Sequence, residues 1–331
     1  MTRYPLIDGH NDLALQLRKL YDNHVNKLDL YNMTNIATDI KRLRDGHVQA
    51  EMFAVYVLCG AQEKDAVRLT LEQIDVLRRM CTMNKDLSWS QQLRGRIFLN
   101  TLFFYQRQNN SLTTFGRAVV KEMNRLGMII DLSHTSWGTA QAVLNISRAP
   151  VIFSHSSSYT VCNNDRNVPD MLLKELKKNQ GLIMVNLHSN FISCKKQADI
   201  STVADHFDYI KKIIGTNSIG IGSDFEGAVS FPEGLDDVSK YPALIKELLR
   251  RNWTEDELAD ILRSYEMKME PPSEVQISME EVHNPCRLVL RHPDFTGPAT
   301  DTVIGSSSDQ HGPSALHTIL SIVIFFTLSL F

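Results

Sequence analysis

The sequence predicts an α/β fold with the architecture of an incomplete (β/α)8 barrel, and two observations predict it. Short apolar segments alternate with amphipathic ones along the chain, which is the pattern of parallel β/α units. Several of these segments end in His or Asp, and in a barrel the carboxyl ends of the strands meet at one mouth. The six predicted strands, fewer than the eight of a closed barrel, lie at 5–13, 52–57, 128–132, 151–153, 182–187 and 219–221.

The first strand carries the pattern on which the functional prediction depends. Its run from Pro5 to Leu13 includes His10 and Asp12. Successive side chains of an extended chain alternate faces, so His10 and Asp12 point the same way. An imidazole and a carboxylate on one face suit a zinc-type ion. One such pair is weak evidence, because many strands end in polar residues by chance.

The helices follow from periodicity and from end signals. Residues 65–80 carry an apolar stripe at helical spacing. Gly127 marks the end of the helix at 116–126. Thr254 and Glu257 form a capping box that begins a helix ending at Arg263. Further helices are predicted at 14–21, 138–144, 169–178, 203–214 and 238–251.

Four strand ends deliver candidate metal ligands to the predicted mouth. His10 and Asp12 lie at the end of the first strand, and His134, His155 and Asp224 follow three later ones. A single buried His is most often a satisfied core residue. Recurrence at the same rim is harder to explain in that way, so a hydrolytic metal site is the leading hypothesis.

Composition narrows the class of protein. The 331 residues are 43% apolar and 22% charged with a net charge of −3, which is ordinary for a globular chain and makes nucleic acid an unexpected partner. The five cysteines contain no C-x-x-C pair, so a zinc finger is not predicted. Glycosylation sequons, which suit a secreted chain, occur at Asn32, Asn109, Asn145 and Asn252.

The C-terminal residues resemble the signal for a GPI anchor. Small residues at 305–308 precede a short polar spacer and an apolar tail that ends at Phe331, which makes Ser306 the predicted attachment site. A membrane span is the alternative, but the tail is short and no basic residue follows it. No apolar secretory segment follows Met1, so we expect an incomplete or alternatively spliced form of a secreted precursor. The predicted domains are a barrel at 1–269, a stalk at 270–308 and the anchor signal at 309–331.

Several motifs together resemble the membrane (renal) dipeptidases, with the dipeptidase 2 type as the nearest branch. The resemblance extends from about residue 4 to residue 85 and again from residue 113 to residue 263. The matching motifs are DGHNDL at 8–13, IDLSH at 130–134, APVIFSHS at 149–156, RNVPD at 166–170, VADH at 203–206 and GSDFEG at 222–227.

The resemblance implies a distorted (β/α)8 barrel that hydrolyses small dipeptides, including cysteinyl-glycine conjugates such as leukotriene D4, at two zinc ions. The implied ligands are His10 and Asp12 for one zinc and His134 and His155 for the other. Asp224 matches the acid/base carboxylate of the family.

Further residues take their expected roles from the same resemblance. Arg166 matches the residue that binds the free carboxylate of the substrate, a task that suits a guanidinium fork. Cys162 and Cys194 match a family disulfide, and Cys286 lies where the family can join two subunits of a homodimer.

One segment departs from the family. Its members carry a Glu that bridges the two zincs, whereas residues 87–112 contain no Glu, Asp or His and replace two expected strands. A shared carboxylate offsets the repulsion of two dications, so we expect one zinc to be bound weakly or lost. The alternative to an active dipeptidase is therefore a catalytically impaired isoform that acts as a binding protein. An unrelated amidohydrolase acting on cyclic amides is a third reading, disfavoured because no Lys lies at a strand end.

Overall fold

A computed structural model describes residues 1, 3–4, 6–61, 64–84, 87, 97–103, 112–194, 197–269 and 318–327. Helices and strands alternate along most of this part of the chain, as predicted, but the strands at 97–103 and 318–327 were not predicted. The strands are β1 Leu6–Asn11, β2 Val48–Val55, β3 Ile97–Phe103, β4 Ile152–Phe153, β5 Leu182–Val185, β6 Ile219–Ile221 and β7 Thr318–Thr327. The helices are α1 Leu13–Tyr21, α2 Ile40–Asp45, α3 Ala66–Met83, α4 Thr114–Leu126, α5 Trp137–Ile146, α6 Asp170–Lys178, α7 Ser189–Ile192, α8 Ile200–Ile214, α9 Tyr241–Arg250 and α10 Glu255–Met269.

The sheet has the parallel core that the β/α alternation predicts. Its order is β3-β7-β2-β1-β6-β5-β4, and the pairs β2-β1, β1-β6, β6-β5 and β5-β4 are parallel. Crossover helices pack on this sheet, so a curled α/β barrel is confirmed for the described residues. The order places β1 beside β6. The backbone pairing alone therefore brings the strand end that carries His10 next to the strand end that precedes Asp224.

Residues 128–132 do not form the strand that we predicted. Only Asp131 makes a bridge, to Ile152. Two backbone hydrogen bonds carry this pairing, from Leu132 N to Ile152 O at 2.7 Å and from Ile152 N to Ile130 O at 2.9 Å. The segment still lies in the strand position of a β/α unit, but its pairing with β4 is too short for a regular ladder.

Two chain segments differ in extent from the prediction. Helix α10 continues to Met269, beyond the predicted end at Arg263. Strand β7, which lies within the predicted anchor signal, runs antiparallel between β2 and β3. Lipid attachment stays a prediction, and the predicted stalk lies outside the described residues.

A buried carboxyl pair lies beneath the mouth of the barrel. Glu51 of β2 pairs in register with Asp8 of β1, and both side chains are fully buried. Neither carboxyl oxygen of Glu51 has a hydrogen-bond partner within 3.5 Å among the described residues. Burial, and next the neighbouring Asp8, raise the pKa of Glu51 well above its ordinary value.

We expect Glu51→Gln to stabilise the fold at neutral pH. An acid whose pKa is raised on folding stabilises the folded state at low pH, and this stabilisation is lost as the pH rises towards the folded pKa. Ionisation of Glu51 should therefore lower the free energy of unfolding of the wild type by about 1 kcal/mol for each pH unit above about pH 5. The Gln variant should lack this pH dependence. Urea unfolding at pH 5 and pH 7.5 measures it, with the exposed Glu233→Gln as the control. Equal slopes in wild type and Glu51→Gln would contradict the prediction.

Candidate metal centre

The strand ends bring the predicted ligands together. His10 Nε2 lies 3.2 Å from Asp12 Oδ2 and 3.9 Å from Asp224 Oδ1. His134 Nε2 lies 2.8 Å from His155 Nε2. The rings of His10 and His155 stack with centroids 3.8 Å apart, so the two predicted pairs form one continuous cluster.

Three of these side chains form the tightest candidate for a single ion. One ligand atom each from His10, His155 and Asp224 lies within 4.8 Å of the others, and all three residues are buried. No second such group occurs among the described residues. Two imidazoles and a carboxylate match the ligand set of catalytic zinc sites, which leave a further position open.

Two of the three histidines of the cluster are neutral, as metal ligands must be, whereas the carboxylates beside His10 favour its protonated form. Burial lowers the pKa of His10, but the carboxylates of Asp12 and Asp224 outweigh burial and raise it to about 9. Burial, with the positive charge of neighbouring groups, holds the pKa of both His134 and His155 well below the ordinary value, so these two are neutral imidazoles. A neutral imidazole has the lone pair that a metal ion needs.

The hydrogen bonds around the second pair provide a test of whether a metal fits. Arg166 is always a donor, and its Nη2 lies 3.1 Å from His134 Nε2, so that nitrogen is an acceptor. His155 Nε2 lies 2.8 Å from the same atom. His10 Nδ1 is buried and has no hydrogen-bond partner within the part of the chain that the structure describes. The neutral imidazoles of His134 and His155, beside the buried carboxylates of Asp12 and Asp224, suit a dication such as zinc.

Backbone strain marks two of the site residues. His134 and Asp224 both have φ of 66°, in the left-handed region that side chains rarely adopt. Such strain persists only where the surrounding structure determines it, and it concentrates at functional sites. The turn after each strand therefore directs the side chain into the mouth.

We expect Gly227→Ala to disable the site while the fold remains. A Cβ at Gly227 would lie 2.1 Å from Asp12 Oδ2 and 2.7 Å from Asp224 Oδ1, so both carboxylates must move. A misplacement of about 1 Å costs on the order of 100-fold in rate. Metal affinity and kcat/KM of the variant should therefore fall with little change in melting temperature. Gly60→Ala, whose Cβ would meet nothing within 4 Å, is the control. Metal affinity equal in the two variants would contradict the prediction.

Arg166 lies beside the cluster, and its role in substrate binding stays a prediction. Its guanidinium also donates from Nη2 to His155 O at 3.4 Å and lies 5.3 Å from the centre of the Phe191 ring. The loop that carries it is tied down by the predicted disulfide between Cys162 and Cys194, which the structure contains. Asn167 reinforces the same loop, since its Nδ2 donates to Cys162 O at 3.0 Å and to Phe191 O at 2.7 Å.

Sequence reasoning missed the residues that hold the ligands in place. Asn186 Nδ2 donates to Asp224 Oδ2 at 2.9 Å. Ser223 Oγ donates to Asp8 Oδ2 at 2.5 Å, and Ser154 Oγ donates to Asp131 Oδ2 at 2.5 Å. The signal that could have found these carboxylates is their spacing, because Asp8 and Asp131 each precede a predicted ligand by two or three residues.

Some of the predicted sites of glycosylation, disulfide formation and lipid attachment lie among the described residues, and the rest lie outside them. Asn32, Asn145 and Asn252 are exposed, as glycosylation requires. Asn109, Cys286 and Ser306 lie outside the described residues. Among the described residues, the helices include none with the length and apolar character needed to cross a membrane.

Imidazoles and carboxylates at the carboxyl ends of parallel strands define a barrel of the metallohydrolase type. The family model for membrane dipeptidase (peptidase family M19) matches residues 1–95 and 97–270. The chain belongs to this family.

Individual relatives agree with this assignment. Dipeptidase 3 of Rattus norvegicus is 43% identical over 311 residues, an alignment that covers 80% of this chain and 64% of the relative. Dipeptidase aclJ of Aspergillus oryzae is 35% identical over 321 residues, covering 79% of this chain and 76% of the relative. The chain thus spans less than two thirds of the rat protein's length. The dipeptidase 2 branch stays a prediction.

A solved structure shares the fold. A metallopeptidase from Rhodobacter sphaeroides, liganded with a phosphinate mimic of the dipeptide L-Ala-D-Ala, superimposes with a TM-score of 0.65. It is 21% identical, and the match covers 81% of this chain and 99% of that one.

Proposed function

We propose that this chain is a zinc-dependent dipeptidase that hydrolyses the peptide bond of small dipeptides, including cysteinyl-glycine conjugates such as leukotriene D4. The observation that carries the proposal is the convergence of His10, His155 and Asp224 within 4.8 Å, with Arg166 beside them. The family membership and the dipeptide mimic bound by the Rhodobacter sphaeroides relative support the same substrate class.

Zinc, when bound, supplies Lewis acidity and lowers the pKa of water. The residues that would hold it are His10 and Asp12 in one position and His134 and His155 in the other. Since no Glu, Asp or His occurs at 87–112, no bridging carboxylate comes from that segment. We expect the second ion to bind more weakly than the first, because the mutual repulsion of two dications is less well offset.

Arg166 would bind the substrate, and Asp224 would transfer the proton. The Arg166 guanidinium would bind the free carboxylate of the dipeptide through paired N–H donors. Asp224 Oδ2 accepts from Asn186, which leaves Oδ1 to take a proton from the attacking water and pass it to the leaving amine. Burial raises the pKa of Asp224, which helps its carboxyl group to hold that proton at neutral pH.

The setting of the enzyme is also a proposal. We infer that the chain acts at the cell surface on a GPI anchor attached at Ser306, as a homodimer that Cys286 can link by a disulfide. The apolar C-terminal sequence and the small residues before it support the anchor. Release of the protein from cells by a phosphatidylinositol-specific phospholipase tests it, and protein that stays attached contradicts it.

Hydrolysis by the purified full chain tests the proposed function. After dialysis against trace zinc, we expect the chain to release glycine from cysteinyl-glycine, to lose this activity with a chelator and to regain it with zinc. Binding of zinc without hydrolysis would instead favour the impaired isoform, a possibility that the missing bridging Glu raises.

A further inference from the structure

We propose that Ser154 is a positioning residue that fixes the tautomer of His155, so that Nε2 of His155 presents its lone pair to the metal. Asp131, Ser154 and His155 form a continuous relay. Ser154 Oγ lies 2.5 Å from Asp131 Oδ2 and 2.7 Å from His155 Nδ1. All three residues are at least 98% buried, so water does not compete for these hydrogen bonds. The inference rests on the proposed metal site and deepens it.

The direction of the relay follows from counting donors at Asp131. Oδ1 of Asp131 accepts from the backbone N–H groups of Ser133 at 2.9 Å and Ser154 at 3.0 Å. Oδ2 faces the Ser154 hydroxyl. With Asp131 ionised, both of its oxygens only accept, so the Ser154 hydroxyl donates to Oδ2.

The tautomer of His155 then follows from the single hydroxyl proton. A serine hydroxyl has one proton and two lone pairs. Since the Ser154 proton points to Asp131, Ser154 Oγ accepts at its other contact, and His155 Nδ1 must carry the hydrogen. His155 Nε2 is left without a proton, 2.8 Å from the acceptor His134 Nε2, and these two lone pairs repel unless a cation lies between them. Metal-binding imidazoles commonly donate their other N–H to a carboxylate; here a hydroxyl transmits that role.

The barrel contains a matched pair that separates this role from simple packing. Ser223 donates to Asp8 as Ser154 donates to Asp131, with the same Oγ–Oδ2 distance of 2.5 Å. Ser223 Oγ also lies 3.3 Å from the carbonyl oxygen of His10 and accepts from the backbone N–H of Phe225 at 3.3 Å, and neither group is an imidazole. Both serines are fully buried. Loss of either hydroxyl leaves a buried carboxylate with one donor fewer, but only Ser154 touches a ring nitrogen of a predicted ligand.

Nitrogen-15 NMR of the full chain tests the inference without relying on activity. In metal-free wild type we expect His155 to carry its hydrogen on Nδ1. Ser154→Ala should remove this preference and weaken zinc binding by about 10- to 100-fold in a chelator competition. Ser154→Thr, which keeps the hydroxyl, should restore both properties. Ser223→Ala should leave the His155 tautomer unchanged.

Asp131→Asn is the second variant and keeps the proposal falsifiable if Ser154→Ala does not fold. The two backbone donors at Oδ1 orient the amide, so its NH2 group faces Ser154 and the relay reverses. His155 should then carry its hydrogen on Nε2, and zinc affinity should fall at least as far as in Ser154→Ala.

The outcomes separate the relay from the proposed function. An Nε2-protonated His155 in metal-free wild type overturns the relay, as does a loss of zinc affinity in Ser154→Ala no larger than in Ser223→Ala. A wild type that has the expected tautomer but binds no zinc overturns the metal site and leaves the relay standing.

Discussion

Full-length protein with His155→Ala should lose zinc binding and dipeptide hydrolysis together. His155 is the one predicted ligand that contacts both halves of the cluster, since it stacks on His10 and lies 2.8 Å from His134. Structural sites with four ligands bind zinc with a free energy of about 10–16 kcal/mol, so each ligand contributes roughly 3 kcal/mol. Zinc affinity should therefore fall by more than about 100-fold.

Elemental analysis and a glycine-release assay on the same preparation measure both effects. His24→Ala is the control, because His24 is exposed and its Nδ1 lies 3.2 Å from the backbone carbonyl oxygen of Tyr21, away from the cluster. Zinc content at the wild-type level in His155→Ala would show that the cluster is not the metal site.

Arg166→Lys should impair binding of the substrate carboxylate while the metal site stays loaded. The guanidinium offers paired donors in a rigid plane, whereas an ammonium is a single flexible charge. A lost charged hydrogen bond at a buried site costs about 2–5 kcal/mol, so kcat/KM for a free dipeptide should fall by at least about 30-fold.

A neutral substrate separates this effect from damage to the site. A dipeptide amide has no terminal carboxylate, so wild type and Arg166→Lys should hydrolyse it at rates within about threefold of each other. Zinc content should be the same in both proteins. An equal loss on the free dipeptide and on the amide would assign Arg166 to the support of His134 rather than to substrate binding.

Local sequence patterns predicted much of the site, because the direction of a side chain at a strand end follows from its position in the strand. The alternation that directs His10 and Asp12 to one face is a property of any extended chain. Placement of His155 and Asp224 at the same mouth needs only that the strands be parallel, which the β/α alternation supplied.

The missed features depend on contacts between distant residues. Asn186 holds Asp224 from 38 positions away, and Ser154 reaches Asp131 from 23 positions away. No periodicity within one strand records such pairings. Strand β7 was missed for the same reason. It pairs antiparallel with β2, which lies more than 260 residues earlier in the chain, and nothing in the sequence of β2 indicates this partner.

Anomalous diffraction at the zinc edge, from crystals of the full chain grown with zinc, tests the central claim most directly. The account predicts one zinc peak bonded to His10 and Asp12, and a second, weaker peak bonded to Nε2 of His134 and His155. No zinc peak in this cluster, or a peak bonded to other side chains, would contradict it.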